Sequence, residues 1–525
     1  MFNSKKILTS ATAILATGAI NSATAKPTRP NVILIIADQW RGDAIGVVNK
    51  EIRTPNVDYL ASRGALFVNG FSAVPSCIPA RAILMTGLNQ WHTGLTGYGG
   101  SGVPSKLYKT TLAKAFTDAG YNTQMIGKGH FSPYTAKMGF ENTLTDEAGK
   151  MAIDKYCNRG TGNSDYRKWF YANRPSPFIT PEDHGVHWNS WHSRPWHMDE
   201  MYHPTAWTMT TAIGYLQEQK KNNKPFFLNI SFHRPHSPYV PPKYYWNYYN
   251  EQKLSQPKVG KWAKMYNDPI EAYNPNATHG KESPESNRLA KVGYYGEISF
   301  IDTQIGRLIN YLRCNRKKDL ANTWFIIISD HGDQLGEHNL WRKTYAYQGS
   351  VRVPFIIVPP AKLKNKYAKG DNFIRKEVVE LQDIMPTLLS AANIKAPDYL
   401  DGKDITKIME NPNAKWREYL HGEHSYCYSK SQVNHFLTDG KVKYIWLPTI
   451  GREQFFNLET DPDELIDLAN NPKYQDEIAK WRQRLIKELK PRGEKFVKDE
   501  ELVKGRSFTF SPWYKKTYTG QDKQN

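Results

Sequence analysis

Four short apolar runs set the limits on how this chain folds. Val32-Ile33-Leu34-Ile35-Ile36-Ala37 is unbroken and largely β-branched, and similar runs occupy Phe226 to Phe232, Trp324 to Ser329 and Val353 to Val358. A strand with one wet face alternates apolar and polar residues, whereas an unbroken run belongs to a strand covered on both faces. Stretches with helical spacing lie between the runs, at Asn56 to Arg63, Thr111 to Ala119, Thr205 to Gln217 and Tyr295 to Leu312. Strands alternating with helices predict an α/β fold, a large mostly parallel sheet sandwiched by helices. After about Met409 the pattern changes to short strands, Lys443 to Leu447 and Gln454 to Leu458, then one helix near Asp476 to Leu489. This predicts a smaller C-terminal subdomain of antiparallel sheet plus helix. The expected division is a leader at 1–25, a catalytic domain at 26–408 and the subdomain at 409–525.

The leader follows from Lys5 and Lys6, an apolar stretch from Ile7 to Ile20, and Ala23-Thr24-Ala25 as an A-x-A cleavage site. The protein is therefore expected to be exported, to a periplasm or beyond. No later apolar run approaches the ~20 residues a membrane span needs, so stable membrane insertion is not expected. The four cysteines (Cys77, Cys157, Cys314, Cys427) form no CxxC pair, and one disulfide stays open. The 525 residues carry a formal charge of +19. Their Lys and Arg are scattered rather than striped, which argues against a nucleic-acid partner. Electrostatic capture of an anionic substrate and an incidentally basic surface both remain. The region from Lys150 to Tyr202 is rich in Trp and His without periodicity, a pattern of functional loops.

The chemistry gathers where the runs end. The first is followed by Asp38-Gln39 and the third by Asp330-His331. Ligands of open α/β sheets bind at the carboxyl ends of strands, and two such ends can build a hard-cation site. Carboxylates with an amide oxygen suit Ca²⁺, and His331 also permits Mn²⁺. In Pro75-Ser76-Cys77-Ile78-Pro79-Ala80-Arg81, Pro79 is tolerated only in a first helical turn. The helix should then start near Cys77, at a positive helix end suited to anions, with Arg81 one turn on along the same face. Gly127-Lys128-Gly129-His130 follows an extended stretch, in which period two would put Lys128 and His130 on one side. Histidines also follow the second run, in Phe232-His233-Arg234-Pro235-His236, and Asp330 leads on to His338, Leu340-Trp341-Arg342-Lys343.

These segments together resemble the type I sulfatase family of the alkaline phosphatase superfamily. Cys77-Ile78-Pro79-Ala80-Arg81 matches its Cys-x-Pro-x-Arg motif, whose cysteine is oxidised to Cα-formylglycine. Arg29-Pro30-Asn31 leading into Asp38, Thr54-Pro55-Asn56, Gly127-Lys128-Gly129-His130, Pro235-His236 and Asp330-His331-Gly332 match in order. Gln39 departs from it, standing where many members have a second Asp. This Asp-Gln and Asp-His arrangement is similar to that of some bacterial sulfatases and of phosphonate monoester hydrolases.

The resemblance implies one divalent cation, with Ca²⁺ favoured over Mn²⁺ or Mg²⁺, held by Asp38, Gln39, residue 77, Asp330 and His331. It implies that formylglycine 77 hydrates to the nucleophile, and that Arg81, Lys128 and Lys343 neutralise sulfate oxygens. His236 would protonate the leaving alcohol, and His130 would help to restore the aldehyde. A maturating enzyme is implied as a transient partner. Export, positive charge and aromatic inserts (150–202 and Tyr244-Tyr245-Trp246) point to a sulfated polysaccharide or oligosaccharide as substrate. His338, Arg342 and His197 are the leading substrate contacts, followed by His187, His192 and His424. The alternatives are a phosphonate or phosphodiester hydrolase, a small-molecule arylsulfatase, and an unmatured glycan-binding protein.

Overall fold

The computed structural model describes residues 29–98, 102–147, 164–222, 224–267, 277–368, 373–425, 427–428 and 430–506. The leader, Cys157, part of the Trp/His-rich region and the final tail lie outside the described residues.

The four runs become strands of one sheet. In chain order its strands are β1 (Asn31–Asp38), β2 (Ala65–Phe67), β3 (Asn122–Gly127), β4 (Asn142–Thr145), β5 (Phe226–Pro235), β6 (Thr323–Ser329), β7 (Phe355–Val358) and β8 (Ile374–Arg375). They lie side by side as β8-β2-β7-β6-β1-β5-β3-β4. The first run is central: β1 pairs in parallel with β5 on one side and β6 on the other, and β3 continues beyond β5 in the same sense. Only the β7 pairings, to β6 and β2, are antiparallel in this sheet among the described residues.

Period two divides β1 between two cores. Ile33, Ile35 and Ala37 pack into one, with α1 (Pro55–Ser62), α4 (Pro204–Gln219) and α5 (Pro284–Asn315). Val32, Leu34 and Ile36 pack into the other, with α2 (Cys77–Thr86), α3 (Leu112–Asp118) and α6 (Ile384–Ala391). Each fully buried Ile or Leu contributes about 1.5–3 kcal/mol, which is why the run tolerates no polar residue before Asp38. Parallel strands have their carboxyl ends on one edge, so Asp38, the end of β5, Lys128 and Asp330 arrive together. The β1–β5 register slips there, with Ala37 opposite Phe232 but Asp38 opposite Pro235, and the skipped residues His233 and Arg234 stand at that edge.

The C-terminal part is the expected antiparallel sheet with a helix. Strands β9 (Leu420–His424), β10 (Asn434–Thr438), β11 (Val442–Leu447) and β12 (Arg452–Asn457) lie in order, and α7 (Gln475–Leu489) packs on one face. Leu437, Tyr444, Trp446 and Phe455 meet Ile478, Trp481 and Leu485 on that face. Their neighbours Phe436, Ile445 and Phe456 face Leu340, Tyr345 and Tyr347 of the large domain. Cys77, Cys314 and Cys427 are free thiols, and no described helix is long and apolar enough to cross a membrane.

Candidate active site

Four ligand-bearing side chains meet at the sheet edge. Asp38, Cys77, Asp330 and His331 are fully buried, and one donor atom from each falls within 4.8 Å of the others. Cys77 opens α2, as its proline and arginine spacing required, and its Sγ lies 3.6 Å from Asp38 Oδ1 and 3.2 Å from His331 Nε2. Lys343 Nζ donates to that sulfur at 3.1 Å, and Lys128 Nζ stands 3.9 Å away. His331 Nδ1 donates to the Gly332 carbonyl, which leaves Nε2 facing Cys77 Sγ.

Gln39 completes the set through a left-handed backbone (φ 69°). Its Oε1 accepts from Lys343 at 3.1 Å while its Nε2 donates to Asp333 at 2.6 Å. That second bond turns the amide oxygen toward the ring. Asp333 also accepts from Tyr239 and from the backbone N–H of Leu335 and Arg342. Nothing in the sequence motifs singled out Asp333. Two carboxylates, an imidazole and an aimed amide oxygen form a donor set that fits a hard divalent cation.

The electrostatics follow from this crowding. Burial alone would push the Asp38 carboxyl up, but Lys128, His236, Lys343 and His331 outweigh it and hold it well below the usual range. Burial and Asp38 oppose ionisation of the Cys77 thiol, yet Lys128, Lys343 and His331 prevail and lower it. Burial and then Lys343 push His236 well below its ordinary value, so it is neutral. Its Nδ1 donates to the Ser237 carbonyl, leaving the Nε2 lone pair free.

Arg81 departs from its expected role. Its Nε donates to Asp330 Oδ2 (2.9 Å), NH1 to the Lys128 carbonyl (2.7 Å) and Ser231 Oγ (3.0 Å), and NH2 to Asp38 Oδ2 (3.4 Å). The fork is taken up by the protein, and Arg81 does not line the cleft. It positions the two carboxylates and Lys128 instead of presenting itself to a sulfate oxygen. Lys128 remains in the cleft lining, at its floor beside Cys77, with Nζ 2.5 Å from Asp38 Oδ2.

A cavity of about 520 Å³ opens onto Cys77, lined by Lys128, His130, His233, His236 and Lys343 together with Tyr98, Tyr134, Trp188 and Tyr428. Trp188 and Asn189 bring the Trp/His-rich region to it, as expected. The three leading substrate-contact residues do not line it. His338 is buried against Trp262, with its Nδ1 accepting from the Gly260 N–H, because its own left-handed backbone turns it into the core. Arg342 is also buried, and exposed His197 packs on Trp196 with its Nε2 on the Thr180 carbonyl. Nor do His187, His192 and His424 line the cleft. His424 reaches from β9 to the residue before Cys77, where its Nε2 accepts from Ser76 Oγ at 2.8 Å. Ser76 begins α2 yet makes no side-chain cap bond, since its hydroxyl is turned to His424.

Residues 30–394 match the sulfatase family model, and residues 336–491 match that of the N-sulphoglucosamine sulphohydrolase C-terminal region. The chain belongs to the sulfatase family. Among relatives of this sulfatase, an arylsulfatase of Clostridium perfringens is 41% identical over 91% of the chain and 98% of the relative. An ulvan-active sulfatase of Formosa agariphila is 26% identical over 92% and 86%. The solved phosphonate monoester hydrolase of Agrobacterium radiobacter superposes with a TM-score of 0.70 at 23% identity, covering 88% of the sulfatase and 96% of that chain, a likeness of fold. The protein is a sulfuric ester hydrolase.

Proposed function

We propose that this sulfatase is exported by its leader and removes sulfate from a sulfated polysaccharide or oligosaccharide. In this reading residue 77 is matured to formylglycine and a divalent cation, Ca²⁺ by preference, sits among Asp38, Gln39, Asp330 and His331. The observation that carries it is the convergence of Asp38 Oδ1, His331 Nε2 and Lys343 Nζ within 3.6 Å of Cys77 Sγ at the floor of an open cleft. When present, the matured side chain and the cation would supply an acidified hydroxyl and a Lewis acid for the sulfate.

The chain's own residues do the rest. Lys343 and Lys128 bracket residue 77 and receive the anionic sulfate oxygens. Sulfate charge offsets the burial and neighbouring cations that hold His236 neutral, so His236 Nε2 takes a proton from solvent as substrate binds and gives it to the leaving oxygen, a step commonly worth ~10²–10⁴ in rate. His130 serves sulfate release. Residues 26–408 are assigned to catalysis and 409–525 to the supporting subdomain, whose His424 bonds Ser76, the neighbour of residue 77.

Aromatic cleft walls and the ulvan-active relative support a glycan, while the arylsulfatase relative and the same aromatic walls favour a second reading, an aryl sulfate. A release assay over sulfated saccharides and aryl sulfates separates the two. Intact-mass analysis should find the residue-77 peptide about 18 Da lighter than its cysteine form. Cys77→Ala should abolish turnover, and retained activity would eliminate the nucleophile.

A further inference from the structure

The cleft is cationic at its floor and not on its walls. Among the described residues lining it, only Lys128 and Lys343 carry fixed positive charge, and both end at Cys77, 3.9 and 3.1 Å from Sγ. The walls above are aromatic or neutral: Tyr98, Phe131, Tyr134, Trp188, Asn189 and Tyr428. Into them the chain sets one carboxylate, Glu147. Its Oε1 accepts the backbone N–H of Gly129 at 2.7 Å and of His130 at 2.6 Å, which anchors it to the turn carrying two cleft residues. Burial pushes its carboxyl up from the ordinary value, against the opposing pull of those two backbone N–H groups and of Lys128 and Arg81.

The geometry points to Glu147 as a charge-selecting residue that confines this cleft to esters with a single anionic group, the scissile sulfate, on an otherwise neutral sugar or aromatic ring. The inference rests on the sulfatase reading above and narrows its substrate class. The floor lysines serve one sulfate. A second sulfate or a carboxylate on the neighbouring carbon would enter the cleft beside a like charge, and repulsion at a half-buried carboxylate is screened less than in bulk water. A sugar hydroxyl in the same place is a donor, and an anchored carboxylate retains acceptor capacity for it. The net charge of +19 draws polyanions from a distance. Selection at the cleft is a separate, short-range matter.

Glu147→Gln is the informative variant, because it keeps an oxygen for both backbone N–H groups and removes only the charge. The measurement is kcat/KM of the matured enzyme on matched pairs: a monosulfated saccharide and its vicinal disulfate, and an aryl sulfate with and without an adjacent carboxylate. Wild type should favour the monoanionic partner of each pair by about tenfold or more, and Glu147→Gln should shrink that preference by a similar factor. Equal turnover of both partners by wild type, or the same ratio in Glu147→Gln, overturns the inference. Uniform loss on all substrates with an unchanged ratio does so too, since it assigns Glu147 to holding the turn alone. If no sulfate ester is cleaved, the proposed reaction fails instead. Calorimetric affinities for the aryl pair then still test Glu147, an equal ratio in wild type and Glu147→Gln counting against it.

Discussion

At the scale of single residues, the site is organised by buried polar groups that hold one another. Arg81 makes four bonds within the protein, two of them to the buried carboxylates Asp38 and Asp330. Arg81→Ala leaves both carboxylates short of a partner and should destabilise the fold by about 3–5 kcal/mol, read as a lower urea midpoint. Arg81→Lys keeps a charge without the planar fork and should restore only part of that loss. Ser76→Ala strands His424 Nε2 in a buried position and should cost about 1–3 kcal/mol. Motif reading located residues 38, 77, 81, 128, 330, 331 and 343 but misjudged where some of them point. Lys128 and His130 do share the cleft, though through left-handed turns at Gly127 (φ 104°) and His130 (φ 56°) rather than an extended strand. Backbone conformations of this kind are chosen by their surroundings and leave little trace in a residue's type.

At the scale of elements, the central strand shows why the apolar runs were readable. Every residue of β1 is buried, and alternate side chains feed cores on opposite sides, so sequence and environment agree at each position. Ile35→Ala should therefore cost about 2–5 kcal/mol in a denaturant titration. Phe178→Ala, at a side chain 88% exposed, should change stability by less than about 0.5 kcal/mol. The short strands β2 and β8 at one side of the sheet, three and two residues long, were not legible, because a run that short carries no period. In the small sheet β11, β12 and α7 were legible. Strands β9 and β10 were not, since they carry His421, Glu423, His424 and His435 among their apolar residues. Those polar positions are satisfied by partners distant in sequence: Arg492 for Glu423, Arg506 for His435 and Ser76 for His424.

At the scale of the whole molecule, the small antiparallel sheet packs against the large domain and both share one pH response. Burial pushes His184 and His338 each down to about 3. Unfolded histidine titrates near 6.5, so between there and about 3 the unfolded chain binds protons that the native state refuses. Stability then falls with pH by up to about 1.4 kcal/mol per unit for each of the two. Asp146 and Asp302, raised to about 6, and Glu380, raised to about 7, all by burial, have the opposite sign, while His424, pushed down to about 4, and His421 and His435, pushed well down, act with the first two and keep the histidines in the majority. Melting temperature should drop from pH 6.5 to 4.5, and His338→Asn should flatten that slope. Taken alone, the sequence determined the layered α/β architecture, which motif residues gather at the sheet edge and the family, because those depend on local periodicity and contiguous motifs. Only the tertiary structure decided that Arg81 faces inward, that His338 leaves the cleft, that Asp333 aims Gln39 and that Glu147 enters the wall. Each of these depends on which distant groups are brought within hydrogen-bonding reach, and chain spacing does not encode that.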